Sequence, residues 1–342
     1  MSTPSQFFSR PIEERSIYGY RKNLIINGCG RVNQRGASHS STIDDDEFIL
    51  DRWFMQEDST GSYNRMFGVY TGTEWMFGVY TGSTVSFGAD DYIAPIAQKL
   101  EAQDLRGLEN GGTLTLSFKA RVPVDGTYSV GLYIFGASDN YRVFKTFDLT
   151  TSLTSVEMTF EIPSGYADPT LGTVQGLMID IFGFGGSNRK APAVDTWYTN
   201  SLYRAGPAVT NWTTGGGQVR VSDVQLEFGS NATEFEKRYY GEELALCQRY
   251  YQILYAVQIA NGYANTTTTF RGLGNWRRDM RTTPTFDNNS GTLRLYGNGV
   301  FHTATSASLG NTGIVNAAGT GFTINEMYTL YSSNTAYLDA EL

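Results

Sequence analysis

The sequence predicts an all-β protein, two β domains joined by one short helix. Composition is the first reason. The chain has 342 residues, 14% aromatic and only 18% charged, with 38 glycines, the profile of sheet faces filled by Tyr and Phe and hairpins closed by Gly. Alternation is the second. Leu114, Leu116 and Phe118 alternate with Thr115, Ser117 and Lys119, and Val224, Leu226 and Phe228 alternate with Gln225 and Glu227, the period of half-buried strands. The third is a single convincing helical stretch after Gly241. Glu242 and Glu243 suit the positive end of a helix dipole there, and Leu244, Cys247, Tyr251 and Leu254 fall on one stripe. This stretch lies between two β-rich regions, and at roughly 150 residues per domain the length fits two domains.

Residues 1–22 are polar, carry Pro4 and Pro11, and cannot form a core alone. They are either a disordered terminus or an arm that orders on a neighbouring subunit. Phe7, Phe8, Ile17, Tyr18 and Tyr20, costly to leave in water, favour the arm. The first domain begins at Asn23, with a strand expected over 24–26 running into the turn pair Asn27-Gly28. Asp44-Asp45-Asp46-Glu47 lacks the turn-forming spacing of a calcium loop and reads as a solvated acidic loop. Met66-Phe-Gly-Val-Tyr-Thr-Gly72 recurs as Met76-Phe-Gly-Val-Tyr-Thr-Gly82. Two copies are too few for a solenoid and read as a duplicated hairpin arm.

Further strands are expected over 127–134 and 156–162, and the mostly apolar stretch 173–184 reads as a central strand covered on both faces. Residues 187–217 form a long loop holding Trp197, Tyr198, Tyr203 and Trp212, and such loops are uncommon unless functional. Residues 218–228 close the domain, 229–256 hold a linker and the helix, and 257–342 form a smaller β domain. Its expected strands are 266–271, 291–295, 321–324 and 328–332.

Several phrases resemble bacteriophage tail-fibre and related virion structural proteins. They are Asn23-Leu-Ile-Ile-Asn-Gly28 with Gln34-Arg35-Gly36, Asp51-Arg52-Trp53, residues 96–121, Gln225-Leu226-Glu227 with Ala232-Thr233-Glu234-Phe235-Glu236, residues 242–251, residues 277–286 and the ending 336–342. Glu234 replaces the family's usual Pro, and Gly30 stands where an aromatic residue is common. The resemblance implies a jelly-roll β-sandwich of the carbohydrate-binding type over 23–228, then the short helix and a smaller C-terminal β domain. It also implies a non-enzymatic protein of the virion. Residues 1–22 would be its attachment arm, anchored by Phe7, Phe8, Tyr18 and Tyr20. Its partners would be other virion proteins and host surface polysaccharide, and its assembly a homo-oligomer, with a trimer favoured. Modules of this type often hold a structural calcium near their opening and closing strands. Asp223 matches the closing position, while Arg31 stands where the opening acid is expected.

The residues exclude several other functions. A net charge of −8 argues against a general nucleic-acid binder, which needs a basic surface for phosphates. No stretch approaches the ~20 apolar residues of a membrane span, and the N-terminus lacks the pattern of a secretory signal. The glycine-rich run Gly183-Phe184-Gly185-Gly186-Ser187 lacks the phosphate-loop G-x-x-x-x-G-K-[ST] pattern and a following helix. No G-x-S-x-G occurs, and neither His39 nor His302 sits in a catalytic signature. Cys29 and Cys247 make no metal-type pair and read as thiols, a disulfide being the alternative. The candidate glycan contacts are Tyr70, Trp75 and Tyr80 from the repeat and Trp197, Tyr198 and Trp212 from the long loop, the alternative for each being ordinary packing. Two rival readings stand beside glycan binding. One is a purely structural capsid or tail decoration. The other is a depolymerase, which would need two carboxyl groups about 5–9.5 Å apart across a cleft.

Overall fold

A computed structural model describes residues 21–36, 41–59, 61–71, 74–82, 86–210, 217–254, 258–274, 279–309 and 314–342. The expected anchors Phe7, Phe8, Tyr18 and Tyr20 lie outside these residues, as does Trp212. The side chain of Tyr70 is likewise outside the description. The chain divides into two compact units, Met1–Arg238 with Leu342, and Tyr239–Glu341. No helix among the described residues is long and apolar enough to cross a membrane.

The first unit is a β-sandwich. Its strands are β1 (Thr42–Ile43), β2 (Phe48–Leu50), β3 (Trp53–Asp58), β4 (Tyr63–Thr71), β5 (Glu74–Thr81), β6 (Tyr92–Glu101) and β7 (Gly112–Arg121). They continue as β8 (Gly126–Phe135), β9 (Asn140–Leu149), β10 (Thr154–Ile162), β11 (Gln175–Ile181), β12 (Phe184–Gly185) and β13 (Gln218–Phe228). Among the described residues one sheet runs β1-β4-β5-β13-β7-β10, and the other runs β2-β3-β6-β11-β8-β9 with β12 added to β6. Trp53, Phe77, Leu116, Leu132, Ile179 and Leu226 belong to the buried cluster between them. The alternating stretches become β7 and β13, and the apolar stretch becomes β11, buried along nearly its whole length between β6 and β8. Asp44, Asp45, Asp46 and Glu47 are all exposed, as expected of a solvated loop.

Residues 24–26 form no strand: Leu24 N donates to the Leu226 carbonyl at 2.9 Å, and side-chain amides supply the other partners. Asn23 Nδ2 donates to the Val224 carbonyl, and Asn23 Oδ1 accepts from Leu226 N. Gln98 reaches across to bond both the amide and the carbonyl of Ile26. These amides stand in for a ladder partner, so the opening segment lies against β13 with its backbone satisfied. The segment after β13 closes over it. Glu227 accepts from Thr233 N and Oγ1, Gln225 Oε1 accepts from Glu236 N, and Glu236 in turn accepts from Asn23 N. Arg238 then donates to the carbonyls of Asn23 and Ile25. The phrases Gln225-Leu226-Glu227 and Thr233-Glu234-Phe235-Glu236 therefore form a latch that holds the two ends of the sandwich together.

The repeat is built into the first sheet and is not a free arm. Its copies pair as antiparallel β4 and β5, and β5 continues onto β13. A register shift between Met66 and Val69 accommodates Gly68, whose φ of +67° is left-handed. Phe77 of the second copy fills the place of the aromatic side chain that Gly30 lacks. A Cβ on Gly30 would strike its ring, and that ring packs on Trp53 at 5.1 Å between centroids.

The second unit opens with α1 (Tyr240–Cys247) and continues with β14 (Tyr251–Leu254), β15 (Gln258–Ala264), β16 (Thr269–Gly274), β17 (Thr285–Asp287) and β18 (Leu293–Gly297). It ends with β19 (Val300–Leu309), β20 (Ile314–Gly319), β21 (Met327–Ser332) and β22 (Ala336–Asp339). Tyr251 and Leu254, expected on the helical stripe, instead pair with β22, because the tertiary ladder outweighs their helical spacing. Among the described residues β15-β16-β20-β19-β18-β21 close into a small barrel around Ile259, Phe270, Leu295, Val315 and Leu330. Residues 321–324, expected as a strand, form a loop. Its amides bond the Thr267 carbonyl and the Tyr328 hydroxyl instead of a ladder. Residues 266–268 are a turn, since Thr266 Oγ1 accepts from the amides of Thr268 and Thr269. Neither Cys29 nor Cys247 is in a disulfide.

Candidate functional site

Among the described side chains singled out from the sequence, Trp75 and Tyr80 lie on β5, and Trp197 and Tyr198 lie on the long loop. Trp75, on β5, is half-buried, and its indole N–H donates to the Gly30 carbonyl at 3.1 Å. The ring lies against Gly68. Tyr80, further along β5, sits opposite Gln218 of β13 and is also half-buried. Tyr198 is a brace. Its backbone pairs with Arg142, its ring packs edge-on to Tyr203, and its hydroxyl bonds the Ala193 backbone.

Trp197 is half-buried and packs against the sandwich core. Its N–H is fixed by the Glu161 carbonyl at 3.1 Å. Its ring meets Tyr166 at 5.2 Å and 84°, and Tyr166 stacks on Tyr141 at 3.7 Å and 13°. All three rings are partly exposed. Tyr141 begins β9 and Tyr166 lies on the loop after β10, so three separate segments assemble one aromatic rim. Tyr141 and Tyr166 carry no signal of this in the sequence, because only the fold brings them to Trp197.

The long loop covers the outer face of the seven-stranded sheet. Ala191, Tyr198 and Tyr203 join Phe54, Ala97, Tyr133, Phe144 and Met178 in a second buried cluster there. Arg142 holds the loop by donating to the carbonyls of Ser201 and Tyr203, and Arg204 lies over the Tyr92 ring at 4.9 Å. Beneath this cover Asp180 of β11 is fully buried, and neither of its oxygens has a hydrogen-bond partner. Burial pushes its carboxyl well above the ordinary range, against the partial opposition of the Arg204 charge. A raised acid in an open cleft would suggest catalysis. Here the loop seals it, so its effect is on stability.

The sign of that effect follows from proton uptake. The folded chain keeps a proton on Asp180 at pH values where the unfolded chain has released it, so stability falls as pH rises above the unfolded value of about 4. Asp180→Asn should therefore melt higher than the parent at pH 8, with the difference closing as pH approaches about 4. Thermal melts at several pH values check this, and an equal gap at pH 4.5 and 8 would contradict it.

Asp223, the calcium candidate, is already engaged. Lys119 Nζ lies 2.9 Å from its Oδ2 and 2.6 Å from Glu74 Oε1. Burial works against the Lys119 charge, but the two carboxylates outweigh it and hold the ammonium above its ordinary value. An ammonium thus stands where an ion would have to bind. Lys119 and Asp223 border a cleft of about 370 Å³ lined also by Ser117, Glu157 and Thr233. Among the described residues no group of three His, Cys, Asp or Glu side chains could hold a metal ion.

One further aromatic group lies in the second unit. Tyr296, Phe301 and Tyr331 wall an open hollow of about 560 Å³ on the outside of the barrel. The sequence does carry a signal for it. Leu293 and Leu295 alternate with Arg294 and Tyr296, and Asn298-Gly299 marks a tight turn that sets Tyr296 opposite Phe301.

No protein-family model and no curated protein matches this chain. Solved structures similar to it include a sugar-binding protein from Bacteroides thetaiotaomicron, with 15% identity, 60% of this chain and 100% of that chain covered, and a TM-score of 0.32. A xylan-binding domain from Paenibacillus barcinonensis matches at 13% identity over 55% of this chain and 99% of that one, with a TM-score of 0.30. The enzymatically active domain of tailspike protein 4 from bacteriophage CBA120 matches at 12% identity over 60% of this chain and 21% of that one, with a TM-score of 0.31. At TM-scores of 0.30–0.32 these likenesses carry no argument about what this chain binds.

Proposed function

We propose that this chain is a non-catalytic glycan-binding protein of a bacteriophage fibre or fibre-like appendage. Its sandwich presents Trp197, Tyr166 and Tyr141 to a host surface polysaccharide. The observation that carries this reading is the rim itself, three adjoining, partly exposed rings with the Trp197 indole held in one orientation. Flat aromatic faces pack on the apolar faces of sugar rings, and the polar edges of Tyr and Trp accept a wet surround. Trp197 and Tyr166 lie on loops, which can vary in sequence while the sheets keep the fold, and Tyr141 lies near the start of β9. Membership of a virion, attachment through residues 1–22 and assembly as a trimer rest on the sequence resemblance alone.

The test separates binding from packing. Trp197→Ala and Tyr141→Ala should each weaken retardation of the protein in native gels containing host surface polysaccharide, with Tyr141→Ala leaving the melting temperature unchanged. Trp75→Ala should do the reverse, lowering the melting temperature and leaving retardation of the folded fraction intact. Normal retardation of both rim variants would move the chain to a purely structural role in the particle.

A further inference from the structure

We propose that the barrel carries a second saccharide site, separate from the sandwich rim and selective for a sugar that bears a carboxylate. The site is built by register. Pairing of β18 with β19 sets Tyr296 opposite Phe301 and Arg294 opposite Thr303, while pairing of β18 with β21 sets Arg294 opposite Tyr331. Left-handed Asn298 and Gly299, at φ of +49° and +77°, make the tight turn that fixes the first pairing. Leu293 and Leu295 point into the barrel, so Arg294 and Tyr296 must point out.

The rings form a cup. Tyr296 and Phe301 lie 4.7 Å apart at 44°, and Tyr331 closes the far side of Phe301 at 6.1 Å and 69°. Phe301 is 57% exposed and Tyr296 40%, an unusual amount of ring surface to leave in water on adjacent strands. The hollow they wall, about 560 Å³, is within the range of small-ligand pockets.

The rim is polar and positively charged. Arg294 lines the hollow, and among the described residues no carboxylate lies within ion-pair distance of its guanidinium. In a chain of net charge −8, an unpaired arginine beside open rings favours an anionic ligand. Guanidinium binds carboxylate through two parallel N–H donors, which fixes orientation as well as charge. Thr292 and Ser333 complete the rim. Ser333 Oγ accepts from Thr292 N at 2.8 Å, which leaves its own O–H to donate to a sugar hydroxyl. A pyranose would lay its apolar face on Tyr296 or Phe301, turn its carboxylate to Arg294 and meet Thr292 and Ser333 with its hydroxyls.

The experiment uses the full chain and two probes. One is a glucuronate-containing tetrasaccharide, and the other is the same tetrasaccharide after carboxyl reduction. Binding is followed by saturation-transfer NMR and titration calorimetry, with melting temperatures recorded for every variant. The acidic probe should bind at least tenfold tighter than the reduced one. Arg294→Gln should remove that preference while retaining weak binding to the rings. Phe301→Ala should weaken both probes, and Trp197→Ala should change neither at this site. Because Phe301 and Arg294 are exposed, these variants should melt as the parent does. Equal affinity for the two probes, or an acidic preference that survives Arg294→Gln, would overturn the proposal. So would loss of self-association in Phe301→Ala without any effect on sugar, which would assign the cup to a second copy of the chain. Loss of binding in Trp197→Ala alone would place the acidic sugar on the sandwich and reject the barrel site.

Discussion

Replacing Asn27 by alanine should cost the sandwich about 3 kcal/mol or more, although it removes only one small side chain. Asn27 is fully buried. Its Oδ1 accepts from Val32 N at 3.0 Å, and its Nδ2 donates to the carbonyls of Val32 and Asp51 at 2.9 and 3.0 Å. Its own carbonyl accepts the Trp53 indole N–H at 2.9 Å. Alanine would leave Val32 N and two carbonyls without these partners in the interior, at ~1–3 kcal/mol for each group left unsatisfied. It would also sit at a φ of +60°, a left-handed conformation that Asn tolerates better than Ala. For a unit of this size the loss corresponds to a melting temperature lower by roughly 6–12 °C. Asn27→Asp keeps one acceptor but sets a buried carboxyl oxygen against the Val32 and Asp51 carbonyls, and should melt no higher than the alanine variant at pH 7. An alanine variant that melts within about 2 °C of the parent would show that the network is not what fixes the opening segment.

The repeat supplies a second large effect with its own control. A Cβ on Gly78 would lie under 3.0 Å from the Val219 carbonyl oxygen, where β5 pairs with β13. The obstacle is backbone, so no rotamer relieves it. Gly78→Ala should cost about 3 kcal/mol, the upper part of the range for overpacking, and should loosen the edge formed by β4 and β5. Gly82 ends the same copy of the repeat, and nothing lies within 4 Å of its Cβ position. Gly82→Ala should change stability by no more than about 0.5 kcal/mol. Urea denaturation of the two variants checks the contrast, which disappears if the repeat is a free arm off the sheet.

Much of the fold is legible in the sequence because it depends on alternation within single strands. β7, β11 and β13 show their burial in the order of their residues. The opening segment is different. Leu24, Ile25 and Ile26 look like a strand, yet only the Leu24 amide finds a backbone partner, the Leu226 carbonyl, while Asn23 and Gln98 side chains take those of Ile25 and Ile26, and such partners leave no local pattern. The helix misleads in the opposite direction. The spacing of Leu244, Cys247, Tyr251 and Leu254 is helical throughout, but β22 takes the last two into a ladder. The site is the least legible part. Trp197 can be named from its loop, whereas Tyr141 and Tyr166 reach it only through the packing of β9 against the loop after β10. Tyr296 and Phe301 lie nearer to prediction, since the Asn298-Gly299 turn fixes their pairing once the two strands are recognised.

The central claim is that the protein holds host polysaccharide without cutting it. The direct measurement is equilibrium binding of the full chain to purified host surface polysaccharide, followed by sizing of the recovered polymer. The account predicts saturable binding, weakened by Trp197→Ala, with polymer length unchanged after prolonged incubation. Shortened polymer would show a depolymerase, and absence of binding by the folded wild-type chain would contradict glycan recognition.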